Sequence, residues 1–240
     1  MTPARVGLVG LGGYGAVHLQ HLLEFHQGGE IRLTAAVAFP PEHAAPAVAR
    51  LRAEGCEVLL GFEVLLAELP RLRLDLVVVP TPIHLHARMA IALVRAGVDV
   101  LVEKPLAATR EDAAAIRAAA AEAGRTIAVG FQYLHAPEVR ALKQRLLAGA
   151  IGPLRRLVVH AAWPRSHAYY TRNAWAGRLR LGEDWVLDSP VSNAMSHFLM
   201  VMLFLAGRTE RDMAVPARLA AELYRAQAIE SFDTAVVRLE

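Results

Sequence analysis

The sequence predicts an α/β protein, with an N-terminal doubly wound parallel sheet followed by a smaller α+β domain. Two patterns carry this prediction. A strand, a glycine-rich turn and a helix open the chain at residues 5–23, and a strand–helix–strand unit runs from Asp75 to Leu106. The regular alternation of strands and helices ends near Gly152. We therefore expect one domain over residues 1–134 and a second over residues 135–240.

The first turn has a glycine spacing with a specific use. The apolar strand Arg5–Val9 is followed at once by GLGGYG, residues 10–15, and then by a helical pattern. In this G-x-G-x-x-G spacing Gly10 permits a tight turn, Gly12 lets the backbone approach a pyrophosphate, and Gly15 lets the helix pack closely. The start of the helix offers N–H groups and a partial positive charge to such an anion. The pattern predicts a Rossmann domain that binds a dinucleotide.

The strand–helix–strand unit places polar residues at two strand ends. The apolar run 76–79 meets Thr81-Pro82, and the run 98–102 ends in Glu103-Lys104-Pro105. Functional groups in such sheets collect at the carboxyl ends of the strands. We expect Thr81 and Lys104 at this crevice, the alternative for Lys104 being a side chain that snorkels to the surface.

The remaining elements follow from hydrophobic periodicity, caps and glycine stops. In the first domain we expect further strands at 31–39, 57–60 and 126–131, and helices at 43–54, 64–69, 84–96 and 109–123, the last capped by Thr109. Beyond it we expect helices at 137–147 and 190–205, strands at 155–162, 217–225 and 232–239, and irregular chain at 163–189.

The end of the second strand leaves the contacts to the cofactor's ribose open. Many dinucleotide folds place an acidic residue there, which binds the ribose 2′-hydroxyl. Here the strand runs into Ala38-Phe39-Pro40-Pro41, and Glu42 comes slightly late. No arginine stands beside it to bind a 2′-phosphate. The sequence therefore does not distinguish NAD from NADP.

Composition excludes several classes of protein. Hydrophobic residues make up 55% of the chain, charged residues 20%, and the net charge is +3. The basic residues form no block with interleaved aromatics, so nucleic acid is not an expected partner. The longest apolar run, Phe198–Ala206, falls short of the ~20 residues that span a bilayer. The single cysteine, Cys56, fits a reducing cytoplasm. A strand follows residues 1–4 directly, so no signal peptide is expected. No spacing of His, Cys, Asp or Glu side chains predicts a metal site.

These motifs together resemble the Gfo/Idh/MocA family of NAD(P)-dependent oxidoreductases, which includes inositol and sugar dehydrogenases. The similar segments are GLGGYG at 10–15, TPIHLH at 81–86, VLVEKPLA at 100–107, VGFQYLHAPEV at 129–139 and IGPL at 151–154. The resemblance implies cofactor contacts from Gly10, Gly12, Gly13, Tyr14, Gly15, Thr81, Pro82, His86, Glu103 and Lys104. It also implies that Lys104 contacts the substrate hydroxyl and that the peptide before Pro105 is cis. His86 either packs on the cofactor or caps its helix.

In its second domain the family has an Asp and a His four residues apart, and Asn193 and His197 match that pair here. This spacing puts both on one helix face. The resemblance makes His197 the acid/base and Lys104 the cation beside the developing alkoxide, with Asn193 orienting either the hydroxyl or His197. Asp188 either supplies the missing carboxylate or caps the loop. The structural alternatives are a satisfied buried histidine and a helix-start asparagine.

The resemblance implies hydride transfer between NAD or NADP and a secondary alcohol of a sugar, inositol or related polyol. Two alternatives stay open: a non-catalytic dinucleotide-binding sensor or regulatory protein, and a fragment that a partner chain completes. The chain ends at Glu240, so its second domain is shorter than the family's. We expect either a truncated product or a naturally short sheet. An open sheet edge there would favour a homo-oligomer.

Overall fold

The computed structural model describes residues 2–43 and 45–240 of the chain. The chain forms two compact units, Met1–Gly130 and Phe131–Glu240, and each has its own secondary structure. Within the described residues, every helix is too short or too polar to cross a lipid bilayer.

The first unit is built on one parallel sheet. Its strands are β1 (Ala4–Val9), β2 (Ile31–Val37), β3 (Glu57–Leu59), β4 (Leu76–Val79), β5 (Asp99–Val102) and β6 (Ile127–Val129). They lie in the order β3-β2-β1-β4-β5-β6, and every neighbouring pair is parallel. This confirms the predicted doubly wound sheet. The order reverses between β1 and β4, so the crevice for a ligand lies at the carboxyl ends of these two strands.

Helices cover both faces of this sheet. They are α1 (Tyr14–Gln27), α2 (Pro46–Ala53), α3 (Phe62–Leu72), α4 (Ile83–Arg95) and α5 (Arg110–Ala123). The apolar side chains of α3, α4 and α5 pack on one face with Val77 and Val79. Those of α1 and α2 pack on the other with Leu8 and Val78. The continuous apolar runs of the sequence are thus strands buried on both sides.

Both ends of α5 follow the signals in the sequence. The Asp112 N–H donates to Thr109 Oγ1 over 3.1 Å, which satisfies one of the free amides at the helix start. At the other end Gly124 takes the left-handed conformation, with φ of 61°. Glycine adopts this conformation without strain and ends helices for that reason.

The second unit is α+β with short elements. Its helices are α6 (Pro137–Leu147), α7 (His167–Thr171) and α8 (Ser196–Ala206), and its strands are β7 (Arg180–Leu181), β8 (Asp184–Trp185), β9 (Leu219–Tyr224) and β10 (Thr234–Leu239). The strands form two antiparallel pairs, β7–β8 and β9–β10. The helix predicted over 190–205 begins as a π-helical turn, Pro190–Ala194, and continues as α8.

The strand predicted over 155–162 is wrong, because residues 154–166 form neither helix nor strand. The alternating pattern there suggested one buried face. In the structure the consecutive residues Val158 and Val159 are both exposed, so no face is covered. A strand also needs a hydrogen-bonded neighbour, and no described strand pairs with this segment.

A buried lysine fixes the end of α8. Lys143 of α6 is 1% exposed, and its Nζ donates to the carbonyls of Phe204 and Gly207 over 2.5 and 2.6 Å. Burial lowers the pKa of Lys143, and the Asp212 carboxylate opposes that shift. The Phe204 carbonyl also accepts from Gly207 N–H over 3.1 Å. The ammonium thus binds the carbonyl end of the helix, where the helix dipole is negative.

Candidate active site

The glycine-rich loop after β1 has the shape that its sequence predicts. Gly10 and Gly13 have φ of 91° and 53°, values that favour glycine. A Cβ on Gly15 would lie 2.4 Å from the carbonyl oxygen of Gly10, so only glycine fits there. Over Gly13 a Cβ would meet nothing within 4 Å. The loop is therefore tightly packed at Gly10 and Gly15, and the space beside Gly13, at the N-terminus of α1, is open.

The carboxylate of Glu42 lies against this loop. Its Oε1 accepts from the backbone N–H of Leu11 over 2.9 Å and from that of Gly12, and its Oε2 accepts from Phe39 N–H over 2.9 Å. Glu42 ends a short 3₁₀ turn, Pro40–Glu42, that follows β2. An acidic side chain thus contacts the glycine loop, although it stands five residues after the end of β2 and not at the strand end where the sequence pattern expects it.

His86 holds two segments of the crevice together. It is 1% exposed, and its Nδ1 and Nε2 lie 2.8 and 2.7 Å from the carbonyl oxygens of Pro105 and Thr81. Burial lowers the pKa of His86, and the two carbonyls and Glu103 oppose that shift. A neutral ring donates to one carbonyl only, whereas a protonated ring donates to both. His86 therefore joins the loop after β4 to the loop after β5.

The loop after β5 has the cis Lys104–Pro105 peptide that the family resemblance implies. Glu103, just before it, is buried. Its Oε1 lies 2.8 Å from His18 Nε2, and its Oε2 accepts from Lys104 N–H over 3.1 Å. A Cβ on Gly130 would meet the same carboxylate, 2.6 Å from Oε1. Both oxygens of Glu103 are thus used within the protein, and the lysine is half-buried beside it.

These features fit a dinucleotide. The space over Gly13 is open, the first turn of α1 supplies a positive dipole end, and Thr81 is buried beside the loop. The Thr81 Cγ2 would lie 3.9 Å from a Cβ on Gly10. Its Oγ1 is buried and has no hydrogen-bond partner among the described residues, which is costly unless a ligand supplies one.

In the second unit, Asn193 is paired with a carboxylate. Its Nδ2 donates to Asp188 Oδ1 over 2.7 Å, and Gly177 N–H donates to Asp188 Oδ2 over 2.7 Å. Asp188 is 4% and Asn193 9% exposed. A carboxylate only accepts, which fixes the orientation of the amide. Asp188 therefore supplies a buried negative charge next to Asn193 and also anchors the backbone at Gly177.

His197 lies among aromatic rings of the same unit. It is 7% exposed. Its ring stacks on Tyr133 with centroids 4.6 Å apart, and it forms a T-shaped contact with Phe131 with centroids 5.8 Å apart. Such contacts hold the imidazole plane in one orientation.

An open groove in the second unit lies next to these residues. It is lined by the irregular segment 154–165, by α8 and by β10, and Asp188 and Phe198 lie at its wall. His160 and Trp163 line it too. The guanidinium groups of Arg165 and Arg172 lie 4.4 and 3.4 Å from the ring centroid of Tyr169.

The predicted site residues divide between the units: Asn193 and His197 belong to the second unit, and all the others to the first. Sequence reasoning missed the roles of His18 and Glu42. His18 stands one helical turn after Tyr14 on α1, which was a signal that its side chain faces the same way.

Burial raises the pKa of the Cys56 thiol to about 12, so this cysteine is not an activated nucleophile. Among the described residues, no group of three His, Cys, Asp or Glu side chains could hold a metal ion.

Comparison with known proteins decides the family. The family model GFO_IDH_MocA, described as an oxidoreductase family with an NAD-binding Rossmann fold, matches residues 4–131. The chain belongs to this family. The glycine loop and the cis Lys104–Pro105 segment both lie within the matched NAD-binding region of this Gfo/Idh/MocA protein.

Two similar proteins are called an inositol dehydrogenase and a sugar reductase. Inositol 2-dehydrogenase 4 of Saccharopolyspora erythraea is 35% identical over 161 residues, which are 66% of this chain and 44% of the relative. The 1,5-anhydro-D-fructose reductase of Ensifer adhaerens is 39% identical over 121 residues, 50% of this chain and 35% of the relative. The alignments thus span less than half of these curated relatives.

A solved structure extends the similarity to the second unit. The WlbA dehydrogenase from Bordetella pertussis, in complex with NADH and UDP-GlcNAcA, superposes with a TM-score of 0.83 at 27% identity. The match covers 99% of this chain and 63% of that one. The short second unit thus has the fold of part of a longer dehydrogenase.

Proposed function

We propose that this chain transfers a hydride between a nicotinamide dinucleotide and a secondary alcohol carbon of a sugar, inositol or related polyol. The observation that carries the proposal is the glycine loop, whose open space over Gly13 lies at the end of β1 in an NAD-binding family domain. The names of the relatives, inositol dehydrogenases and sugar reductases, support the substrate class.

The first unit would hold the cofactor. Gly12, Gly13 and the start of α1 would bind the pyrophosphate, and Thr81 would offer its buried hydroxyl. His86 and Glu103 would act through the loops that they hold, since their polar atoms already bind protein groups. When bound, the nicotinamide supplies the acceptor or the donor of the hydride.

The proton needs a group of the protein. As the carbon loses its hydride, the hydroxyl loses a proton and a carbonyl forms. His197 would take that proton, because an unperturbed imidazole titrates near working pH. Lys104 would stabilise the negative charge that develops on the oxygen. The buried Asp188 would stabilise positive charge that His197 gains, through its hydrogen bond to Asn193.

Incubation with NAD⁺ or NADP⁺ and a panel of polyols, sugars and nucleotide sugars tests the proposal. The expected result is growth of the absorbance band of reduced nicotinamide with at least one substrate. Nucleotide sugars belong in the panel because the solved WlbA complex contains one. Binding of dinucleotide without turnover on any substrate would favour the sensor or regulatory alternative.

We also propose that copies of the chain associate through the β9–β10 hairpin, in the cytoplasm. Both faces of β9 are exposed, including Leu219 at 70% and Leu223 at 52%. Exposed apolar strands with free edges favour association. Light scattering coupled to gel filtration, on the chain and on a Leu219→Lys, Leu223→Lys variant, measures this; a monomer in both would contradict it.

A further inference from the structure

One arginine of the second unit lies in the groove without an acidic partner. The guanidinium carbon of Arg165 lies 4.4 Å from the ring centroid of Tyr169 and 5.6 Å from that of Trp163, and all three residues line the groove. The ion pairs that the structure describes in the second unit use other cations. Aromatic rings therefore hold the charge of Arg165 in place, and no contacting carboxylate neutralises it.

The Nε atom of Arg165 is buried and has no hydrogen-bond partner among the described residues. A buried N–H without a partner lowers stability, so folded proteins keep such groups where function or a bound species accounts for them. An anion drawn to this guanidinium offers the missing acceptor.

The wall of the groove around Arg165 is positively charged. The segment 154–165 contains three arginines and no Asp or Glu. Three carboxylates also line the groove, those of Asp188, Asp233 and Glu240, and each already contacts protein donors. Asp188 and Asp233 accept from backbone amides and polar side chains, and Glu240 forms an ion pair with another arginine over 3.8 Å. The positive charge of the segment thus remains for a ligand.

We propose that this groove binds an anionic sugar derivative and that Arg165 holds its carboxylate or phosphate group; this names the substrate class of the proposed hydride transfer and rests on it. A guanidinium presents its N–H donors in a planar fork that matches both carboxylate and phosphate. Stacking on Tyr169 orients that fork before a ligand arrives. A donor oriented in advance loses less conformational freedom on binding.

The groove also has space and apolar surface for the rest of such a molecule. Its volume of about 1370 Å³ exceeds the ~300–1,000 Å³ of common small-molecule pockets. The rings of Trp163 and Phe198 form a T-shaped contact on its wall, with centroids 5.6 Å apart. A ligand with a ring and one charged group can pack the ring on these aromatic side chains and place the charge on the arginine.

The rival interpretation is that Arg165 only packs on Tyr169 and Trp163 and holds the irregular segment in place. It predicts that a change at position 165 weakens neutral and anionic sugars alike. The proposed role predicts a loss of affinity for the anionic sugars alone. It also predicts partial recovery with lysine, which keeps the charge but lacks the planar fork.

Titration calorimetry separates the two interpretations, with four ligands that share one sugar: glucose, glucuronate, glucose 6-phosphate and UDP-glucose. NADH or NADPH is present, so the sugar is not oxidised during the titration. We expect at least one of the three anionic ligands to bind about 10-fold or more tightly than glucose. The ligand that binds most tightly identifies the anion as a carboxylate, a phosphate monoester or a diphosphate.

Three variants test the assignment to Arg165. Arg165→Gln should weaken that anionic ligand about 10- to 100-fold, the value of a hydrogen bond to a charged group, and leave glucose unchanged. Arg165→Lys should recover part of the loss. Arg145→Gln makes the same charge change at an exposed position of α6, outside the groove, and should bind all four ligands as the unmodified protein does.

The other outcomes have distinct meanings. Glucose binding as tightly as the three anions overturns the inference and leaves the proposed hydride transfer to be judged on neutral substrates by turnover. A preference for an anion that survives Arg165→Gln, or equal weakening of glucose and the anion, overturns the role of Arg165. If none of the four ligands binds, the inference falls whatever the turnover panel gives. Anion binding that depends on Arg165, without turnover on any substrate, supports the site and contradicts the proposed hydride transfer.

Discussion

His18 Nε2 and Glu103 Oε1 lie 2.8 Å apart, and this contact joins the helix after the glycine loop to the end of β5. The other carboxylate oxygen of Glu103 accepts from Lys104 N–H. One buried side chain therefore sets the position of the Lys104 backbone relative to α1. Glu103 thus holds the two segments together through protein contacts, and its contact with the cofactor stays a prediction.

Gly130 and Glu103 should be energetically coupled. A methyl group at Gly130 would lie 2.6 Å from Glu103 Oε1, so Gly130→Ala must displace the buried carboxylate from His18. We expect Gly130→Ala to lower the free energy of unfolding by about 1–3 kcal/mol. In the Glu103→Ala background the methyl group has room, so the same change should cost at least about 1 kcal/mol less. Urea denaturation of the four proteins in this cycle gives the coupling; simple additivity would refute it.

Two glycines of the loop should respond differently to substitution. Gly12→Val places a side chain against the Glu42 carboxylate, beside the backbone proposed to bind the pyrophosphate, and the φ of Gly12 lies outside the left-handed region. Dinucleotide affinity should fall below detection by calorimetry, with circular dichroism unchanged. Gly15→Ala instead drives a Cβ into the Gly10 carbonyl, 2.4 Å away, so the loop itself must move and stability should fall. Unchanged dinucleotide affinity of Gly12→Val would disprove the loop's assigned role.

Elements with strong local signals were predictable, and the positions of single side chains were not. Thr109 and Gly124 delimit α5 as their types require, and the glycine spacing correctly located the first turn of α1. The expected strand over 155–162 failed because a strand depends on a partner that its own sequence does not encode. The contact of Glu42 with the glycine loop was not predicted. It depends on the 3₁₀ turn Pro40–Glu42, which begins with two prolines and which the spacing rule for the end of β2 does not describe.

Stability should depend on pH through His86. Its pKa in the folded protein is lowered by burial, so below about pH 6.5 the unfolded chain binds a proton that the folded chain resists. The free energy of unfolding should therefore have its full value above pH 6.5, and it should decrease as the pH falls below 6.5 towards the pKa of His86 in the folded protein. His86→Gln should be less stable at neutral pH by about 1–3 kcal/mol, since the buried ring loses its packing and the one carbonyl to which the neutral imidazole donates, that of Thr81 or Pro105, loses that donor.

The contribution of His86 is measured as the difference in unfolding free energy between the unmodified protein and His86→Gln at each pH. Urea denaturation from pH 5 to pH 8 should show a steeper loss of stability on acidification in the unmodified protein. His43→Gln, at an exposed position, is a control that should keep the steeper slope. Parallel curves for His86→Gln and the unmodified protein would mean that His86 does not contribute to the pH dependence.

His197→Ala should lower turnover by about 10²–10⁴-fold on whichever substrate the panel identifies, the usual range for a general acid or base. Affinity for the dinucleotide should change little, because His197 belongs to the second unit. His160→Ala removes an exposed imidazole from the groove of the same unit and serves as the control. Full turnover by His197→Ala would show that another group moves the proton.

The protein should lose stability at neutral pH if positions 188 and 193 both carry a carboxylate. The atoms Asn193 Nδ2 and Asp188 Oδ1 are 2.7 Å apart and buried, so Asn193→Asp brings two carboxyl groups into contact. Both cannot ionise there, and one folded-state pKa must rise above its unfolded value of about 3.9. The variant should thus be close to normal stability below that value and lose about 1–3 kcal/mol as pH rises to neutrality.

The exchange Asp188→Asn with Asn193→Asp restores one amide and one carboxylate. The amide oxygen at 188 can still accept from Gly177 N–H, and its NH₂ group can donate to the carboxylate at 193. We expect the double variant to regain most of the stability that Asn193→Asp loses at pH 7, measured by urea denaturation. It also puts the acidic residue four positions before His197, as the family resemblance describes, so its turnover tests whether the position of the charge matters. If the double variant is no more stable than Asn193→Asp alone, the pair does not act as a unit, and Asp188 serves only to anchor Gly177.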